Sequence, residues 1–400
     1  MKFKIQSAMG GSKFKILPIG YLMSVVGLFF YSFTQVDLNL TLSEWSVWQV
    51  IQKYFQHIGY FQRPLSSFLF VGIALSLFFF YLMILRRVHE KKIDKQTIWF
   101  LTITTTLILT FSYNAFSYDL FNYMFDAKII TYYNQNPYVH KALDFPGDPM
   151  LSFMHWTHRL YPYGPTWLGL TVPLSIGIKF FLPTFFLFKI LMSLSFLGTV
   201  FFIGKILQKL SSKDELFGVA FFALNPLVIV ESLVSAHNDI VMMFFAIWAL
   251  YLLMSKKYVR SIILFILSIG VKFATAFLVP VFLLIYFFKK RNKRLNWEIL
   301  FSAIAILMVV PVVLATIRTS FQPWYLLNLL PFVALVSKKS YFFIPSIILS
   351  LFSLLQYLPF LYLGNWDMPV PVILLWLTIS SIFLSIVISL GYGFLKKTQA

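Results

Sequence analysis

Residues 117–165 read SYDLFNYMFDAKIITYYNQNPYVHKALDFPGDPMLSFMHWTHRLYPYGP, and this passage decides how the rest of the chain is understood. It holds Asp119, Asp126, Asp144 and Asp148, four of the fourteen acidic residues, and His140, His155 and His158, three of the six histidines. Twelve aromatics run through it. On both sides, apolar runs long enough to cross a bilayer follow one another with little between them. A polar passage fixed between membrane spans is where binding and chemistry should be sought.

The surrounding chain is 400 residues long, 59% hydrophobic and 12% charged, with a mean hydropathy of +0.80. A soluble domain carries about 25% charge, so the composition requires an integral membrane protein. Aromatics reach 20%, 47 of the residues being Phe, which fits helices facing lipid. Each span needs about 20 apolar residues, which leaves room for roughly a dozen spans and no sizeable soluble domain. The expected fold is an all-α polytopic bundle of about 12 transmembrane helices, some broken or re-entrant. It forms one integral membrane domain over 1–400, with a large first external loop, 116–165, carrying the active site.

The net charge of +19 is compatible with nucleic acid or anionic lipid as a partner. Its distribution argues for topology instead. Twenty-four of the 33 Lys and Arg fall in seven short segments: Lys2 to Lys15, 86–95, 205–213, 256–260, 289–294, 338–339, and Lys396 with Lys397. This is the positive-inside pattern, which places those segments and both termini in the cytoplasm and excludes a nucleic-acid role. There is no cysteine, hence no disulfide framework and no thiolate metal site. The N-terminal basic and apolar stretch has no small-residue cleavage site after it and reads as a retained first span.

With parity fixed by those clusters, the first span covers 16–35 and leads outward. Residues 36–64 form an external connection with Trp45, Trp48 and Tyr54 as interfacial anchors. Spans 66–85 and 97–115 then deliver the chain outside at Ser117. The apolar stretch 166–182, with Pro173, Gly177 and Lys179, must start and end on the outer side, as a re-entrant or broken segment. Spans 184–204, 215–234 and 238–254 follow. Residues 261–288 are too long for one span and read as two short helices meeting near Lys272. Spans at 298–317, 323–337, 341–363 and 370–392 complete twelve crossings. No 20–50-residue period or inverted repeat is evident.

Asp119 comes directly after a span and so lies at the outer membrane surface. Asp119, Tyr123 and Asp126 are spaced i, i+4, i+7 and share one face of a helix. A solvated helix face is the simpler alternative. Asn136-Pro137-Tyr138 and Tyr161-Pro162-Tyr163-Gly164-Pro165 stop helices, and their Asn and Tyr side chains also suit a sugar. Pro226 after Asn225 can kink the span 215–234. Glu231 near its end is followed by His237, Asn238 and Asp239, ionisable groups that are costly near lipid and usually face a polar cavity. No recognised metal-ligand spacing is present, so no metal site and no cofactor are expected, and a divalent metal is unsupported. Lys272 and Arg318 are cations outside the cytoplasmic clusters, suited to a donor phosphate; snorkelling is the bland reading of Arg318. Gln322, Trp324 and Tyr325 add an amide and two aromatics at the same level, as belt residues or a sugar platform.

Together these residues resemble the GT-C class of membrane glycosyltransferases, closest to polyprenyl-phosphate-mannose-dependent mannosyltransferases. That family's pattern reads Ser-x-Asp-x-x-x-Tyr, Asn-Pro-Tyr, Tyr-x-Tyr-Gly-Pro, Asn-Pro-x-x-x-x-Glu, His-Asn-Asp and Gln-Pro-Trp-Tyr. It appears here as Ser117–Tyr123, Asn136–Tyr138, Tyr161–Pro165, Asn225–Glu231, His237–Asp239 and Gln322–Tyr325. The likeness covers about residues 100–330 and leaves out the last two spans. It implies an inverting transfer of mannose from a polyprenyl-phosphate donor to a glycan or glycolipid acceptor on the outer face of a plasma membrane. Asp119 would be the base, and Lys272 and Arg318 would hold the phosphate. Sugar and acceptor contacts would fall on Tyr123, Asn136, Tyr138, Tyr161, Tyr163, Glu231, His237, Asn238, Asp239, Gln322, Trp324 and Tyr325. Relatives with an Asp-x-Asp pair differ, since Ser117 stands at the first of those positions; this weakens a metal-dependent version. A lipid-linked sugar flippase or transporter is the competing reading, and a non-catalytic scaffold subunit a third. Transporters place coupling charges at mid-membrane between related halves, whereas here the polar residues gather at one level.

Overall fold

A computed structural model describes residues 16–398; the basic residues Lys2, Lys4, Lys13 and Lys15 lie outside them. Every regular element among the described residues is helical. In chain order these are α1 (Ile16–Ser32), α2 (Ser46–Gln56), α3 (Arg63–His89), α4 (Lys95–Thr110), α5 (Asp119–Thr131), α6 (Pro165–Leu174) and α7 (Phe181–Leu210). They continue as α8 (Glu215–Ala223), α9 (Pro226–Ile229), α10 (Asp239–Met254), α11 (Tyr258–Val271), α12 (Val279–Lys290), α13 (Trp297–Leu307) and α14 (Val309–Thr319). The last are α15 (Leu330–Ala334), α16 (Ser340–Leu355), α17 (Leu358–Leu363) and α18 (Val370–Thr398).

Local signals set several starts. Asp94 accepts from the Thr97 N–H at 2.9 Å and caps α4; Asn296 does the same for α13 through Ile299 at 3.1 Å. Asn225 caps α9 through the Leu227 N–H at 2.9 Å, with Pro226 in the first turn, where its missing N–H costs nothing. Seven helices or helix pairs are long and apolar enough to cross a membrane, and an eighth if α8 and the helix from Pro226 to Val234, bent by 52°, count as one span. The shorter apolar helices α10 and α11 supplement them. The protein is a multi-pass all-α membrane protein.

The centre of the bundle is the α8–α9–α10 passage, where residues 217–243 are buried without interruption. Helices α7 and α11 pack along α10, and α4 and α16 close the sides. Beyond α11, Lys272 is fully extended (φ −156°, ψ 138°) and breaks the helix before a 3-10 turn, Phe273–Leu278, as expected for two half-helices meeting there. The stretch 166–182 is one short helix, α6, with Pro173 inside it, followed by turns, and it packs against α5, α7 and α11. One expectation needs correcting. Residues 323–337 do not form a regular helical span; Pro323 and Pro331 leave a 3-10 turn, Pro323–Asn328, and the five-residue α15.

Helix α2 is inverted relative to a soluble helix. Its Gln52 and Gln56 amides point inward and donate to the carbonyls of Leu40, at 2.6 Å, and Asp37, at 2.9 Å. Its Val47, Val50, Ile51 and Tyr54 face outward. Trp45 and Tyr54 are 64% and 68% exposed, but Trp48 turns in, its indole N–H donating to Gln52 and its ring lying edge-on to Phe33.

Candidate active site

The site begins at the first residue of α5, outside the candidate spans. Ser117 Oγ accepts from the Asp119 N–H at 3.1 Å, so the helix starts with the Asp119 carboxylate in its positive first turn. One turn on, Tyr123 is buried edge-on against Tyr163 (5.2 Å) and Trp167 (5.1 Å), and its hydroxyl accepts from the Asn238 N–H at 3.5 Å.

His237 meets Asp119 from the centre of the bundle. The helix begun at Pro226 ends in a π-turn, Val230–Val234, and Ala236 adopts a left-handed conformation (φ +58°). This sharp exit places His237, fully buried, between two carboxylates: Nδ1 lies 3.5 Å from Asp119 Oδ2 and Nε2 lies 3.3 Å from Glu231 Oε2. Both separations are ion-pair contacts rather than aligned hydrogen bonds. The imidazole stacks on Trp324, centroids 4.1 Å apart and planes inclined by 19°. On the far side, the Tyr357 hydroxyl donates to Glu231 Oε1 at 2.8 Å. Tyr357, Glu231, His237 and Asp119 thus form one polar chain.

Electrostatics follow from that order. Burial alone would drive His237 neutral, but the two carboxylates in contact with it, Asp119 and Glu231, prevail and raise its pKa to about 9. Burial likewise pushes the Asp119 carboxyl up, yet His237, Lys272 and Arg159 together hold it below the usual carboxylate range. Asp119 is therefore ionised at neutral pH. Asp126, two turns along α5, differs: burial and then the Asp119 charge push it up to about 8.

This difference predicts a pH effect. A carboxyl whose folded-state pKa exceeds its ordinary value of about 4 costs the protein stability as pH rises, with the loss complete above about 8. Asp126→Asn should therefore match the parent near pH 4 and unfold at a higher temperature at pH 9. Equal melting differences at both pH values would place Asp126 in an ordinary solvated setting.

Lys272 reaches the same cluster from the break after α11. Its ammonium donates to Asp239 Oδ2 at 2.8 Å, pairing a fully buried carboxylate with a cation that is 28% exposed. A backbone seam ties it to the tyrosine loop: the Gly164 N–H donates to the Val271 carbonyl at 3.3 Å, and a Cβ at Gly164 would collide with the Gly270 carbonyl. Around these groups lie buried polar atoms without hydrogen-bond partners, Asn238 Oδ1 and Nδ2, Asp239 Oδ1, Asn122 Oδ1 and Trp167 Nε1.

The structure brings Asp119, Tyr123, Tyr163, Glu231, His237, Asn238, Asp239, Lys272 and Trp324 into contact, directly or through one another. Tyr161 and Tyr138 extend the aromatic series from Tyr163, at centroid distances of 5.6 and 5.0 Å. Tyr325 is edge-on to Trp324 and shares a hydrogen bond with Thr319. Asn136 is exposed and closes its own turn through the Tyr138 N–H; Gln322 donates to Ser320. Arg318 is exposed in the last turn of α14. Asp148 is structural, held by Lys128 at 2.5 Å and Tyr133 at 2.6 Å.

Three contributors were missed from sequence. Tyr357 sits in a stretch that reads as an ordinary span. Arg159, its guanidinium 4.0 Å over the Trp156 ring, lies inside the polar passage. Lys189 is a cation inside an apolar span, and that alone marks it for attention. Among the described residues no three His, Asp or Glu side chains are arranged to hold a metal ion. An apolar cavity of about 310 Å³ between α2, α4 and α7 includes none of the cluster.

The model of the alpha-(1->6)-mannopyranosyltransferase family, N-terminal domain, matches residues 20–288. The chain belongs to that family. It is a membrane mannosyltransferase, as the resemblance implied. The match takes in Asp119, His237, Asp239 and Lys272 and stops before Trp324 and Tyr357. No curated protein and no solved structure matches.

Proposed function

We propose that this mannosyltransferase moves mannose from a polyprenyl-phosphate donor to a hydroxyl of a glycan or glycolipid acceptor, with Asp119 as general base. The observation that carries the reading is the ionised Asp119 at the start of α5, clamped by the His237 imidazolium and flanked by Lys272. The acceptor oxygen attacks the anomeric carbon while the bond to the phosphate oxygen breaks on the opposite face, and Asp119 takes the hydroxyl proton. Lys272 stabilises charge growing on the departing phosphate, with Arg159 and the exposed Arg318 as further cations for it. Asn238, Asp239 and the Tyr123–Tyr163 pair take the sugar hydroxyls; Tyr138, Tyr161, Asn136, Gln322 and Tyr325 line its approach. Single-step attack inverts configuration, so an α-linked product requires a β-linked donor. The gathering of Lys and Arg in short segments between spans favours cytoplasmic termini and a site on the outer face of the plasma membrane.

Purified protein in detergent, given β-linked polyprenyl-phosphate-mannose and an oligomannoside, should release polyprenyl phosphate and extend the acceptor by one α-mannose. The α-linked donor should fail. Movement of intact donor between leaflets of vesicles without transfer would favour the flippase reading and overturn this one.

A further inference from the structure

Lys189 lies in the first third of α7, fully buried, and pairs with no carboxylate among the described residues. A lone ammonium in such a place is costly unless every donor is used. Here each is: Lys189 Nζ donates to the Leu233 carbonyl, to the Val234 carbonyl at 3.0 Å and to Ser112 Oγ at 3.2 Å. Leu233 and Val234 end the π-turn from which the chain swings through left-handed Ala236 to His237. The last carbonyls of a helix have no partner within it and form its negative pole. Lys189 supplies both the missing donors and the opposite charge.

Two backbone bonds lie within the turn itself: Ser235 N–H donates to the Val230 carbonyl at 2.8 Å and His237 N–H to the Glu231 carbonyl at 3.0 Å. From outside, the Tyr357 hydroxyl holds the Glu231 carboxylate at 2.8 Å. Among the described residues, Lys189 is the cation that meets the turn's terminal carbonyls.

We infer that Lys189 is a positioning residue: its ammonium pins the carbonyl end of the kinked helix and thereby holds His237 between Asp119 and Glu231. For activity this rests on Asp119 being the base; for geometry it does not. A shift of the turn would carry His237 away from both carboxylates, and misplacement of about 1 Å can cost roughly 10²-fold in rate.

The test separates the two. His237 stacks on Trp324, so its titration should appear in tryptophan fluorescence as the component lost in Trp324→Phe. In the parent protein that component should have its midpoint near pH 9, set by Asp119 and Glu231 against burial, with Tyr357 on Glu231 and Lys272 on Asp239 as the next charged or titratable neighbours. Lys189→Met should move the midpoint down, because His237 loses its carboxylates and keeps its burial, and should lower kcat roughly 10²-fold with donor KM little changed. Lys189→Gln, which keeps amide donors without charge, should fall between. If Lys189→Met does not fold, the Gln variant decides. A folded variant with the parent's midpoint overturns the inference, whatever its activity. A lowered midpoint in the Lys189 variants of a parent that does not use polyprenyl-phosphate-mannose as donor would retain it and sink the proposed function instead.

Discussion

Asp119→Asn is expected to abolish mannose transfer while leaving the protein folded and able to bind donor. The substitution keeps the shape of the side chain and removes the lone-pair basicity that the reaction draws on. General-base catalysis contributes roughly 10²- to 10⁴-fold, and the loss should fall in kcat rather than in donor KM, because the base acts on the acceptor hydroxyl. His237 would keep Glu231 but lose one of the two carboxylates that raise its pKa, so its titration midpoint should fall as well. Measuring both in one preparation gives a control: the midpoint shift shows that the parent's Asp119 carboxylate acts on His237. Rates within a few-fold of the parent, with the midpoint shifted, would remove Asp119 from the chemistry.

Lys272→Ala should have the next largest effect, and on two observables. It leaves Asp239, a fully buried carboxylate, without its 2.8 Å partner. Breaking a buried pair from one side costs about 3–5 kcal/mol; with Lys272 28% exposed, the lower end is expected here. The donor requirement should rise steeply at the same time, since the phosphate loses its nearest cation. Adding Asp239→Asn distinguishes these. The double variant should recover thermal stability, because no buried charge is stranded, yet still need far more donor. Recovery of both would assign Lys272 to structure alone.

Much of this arrangement could be read from the sequence because membrane spans and charge are local signals. Polarity between 117 and 165 points to the segment that contributes Asp119 to the polar cluster, parity marks 166–182 as broken, and a lysine inside an apolar run marks the interruption at 272. Asp119 stood out for the same reason: a carboxylate directly after a span must be accounted for. What escaped were pairings made by packing. Trp324 and His237 are far apart in sequence, and nothing local says that one ring lies on the other. Tyr357 looks like any interfacial tyrosine until its hydroxyl is found on Glu231. Residues 323–337 were misread as a helix because apolar content was weighed above Pro323 and Pro331. Lys189 carries a signal, a cation inside an apolar span, but two of its partners are backbone carbonyls, which a sequence does not display.

The partnerless atoms of Asn238, together with Asp239 Oδ1 and Trp167 Nε1, offer a way to measure how strictly mannose is preferred before any acceptor is known. Each buried polar atom left unmatched costs about 1–3 kcal/mol, so a hydroxyl set that matches them should tighten the whole bundle. Ligand that binds the folded chain alone raises its unfolding temperature. Ranking free hexoses and their phosphates by melting temperature would therefore read the stereochemical preference directly, with mannose and its C2 epimer glucose as the decisive comparison.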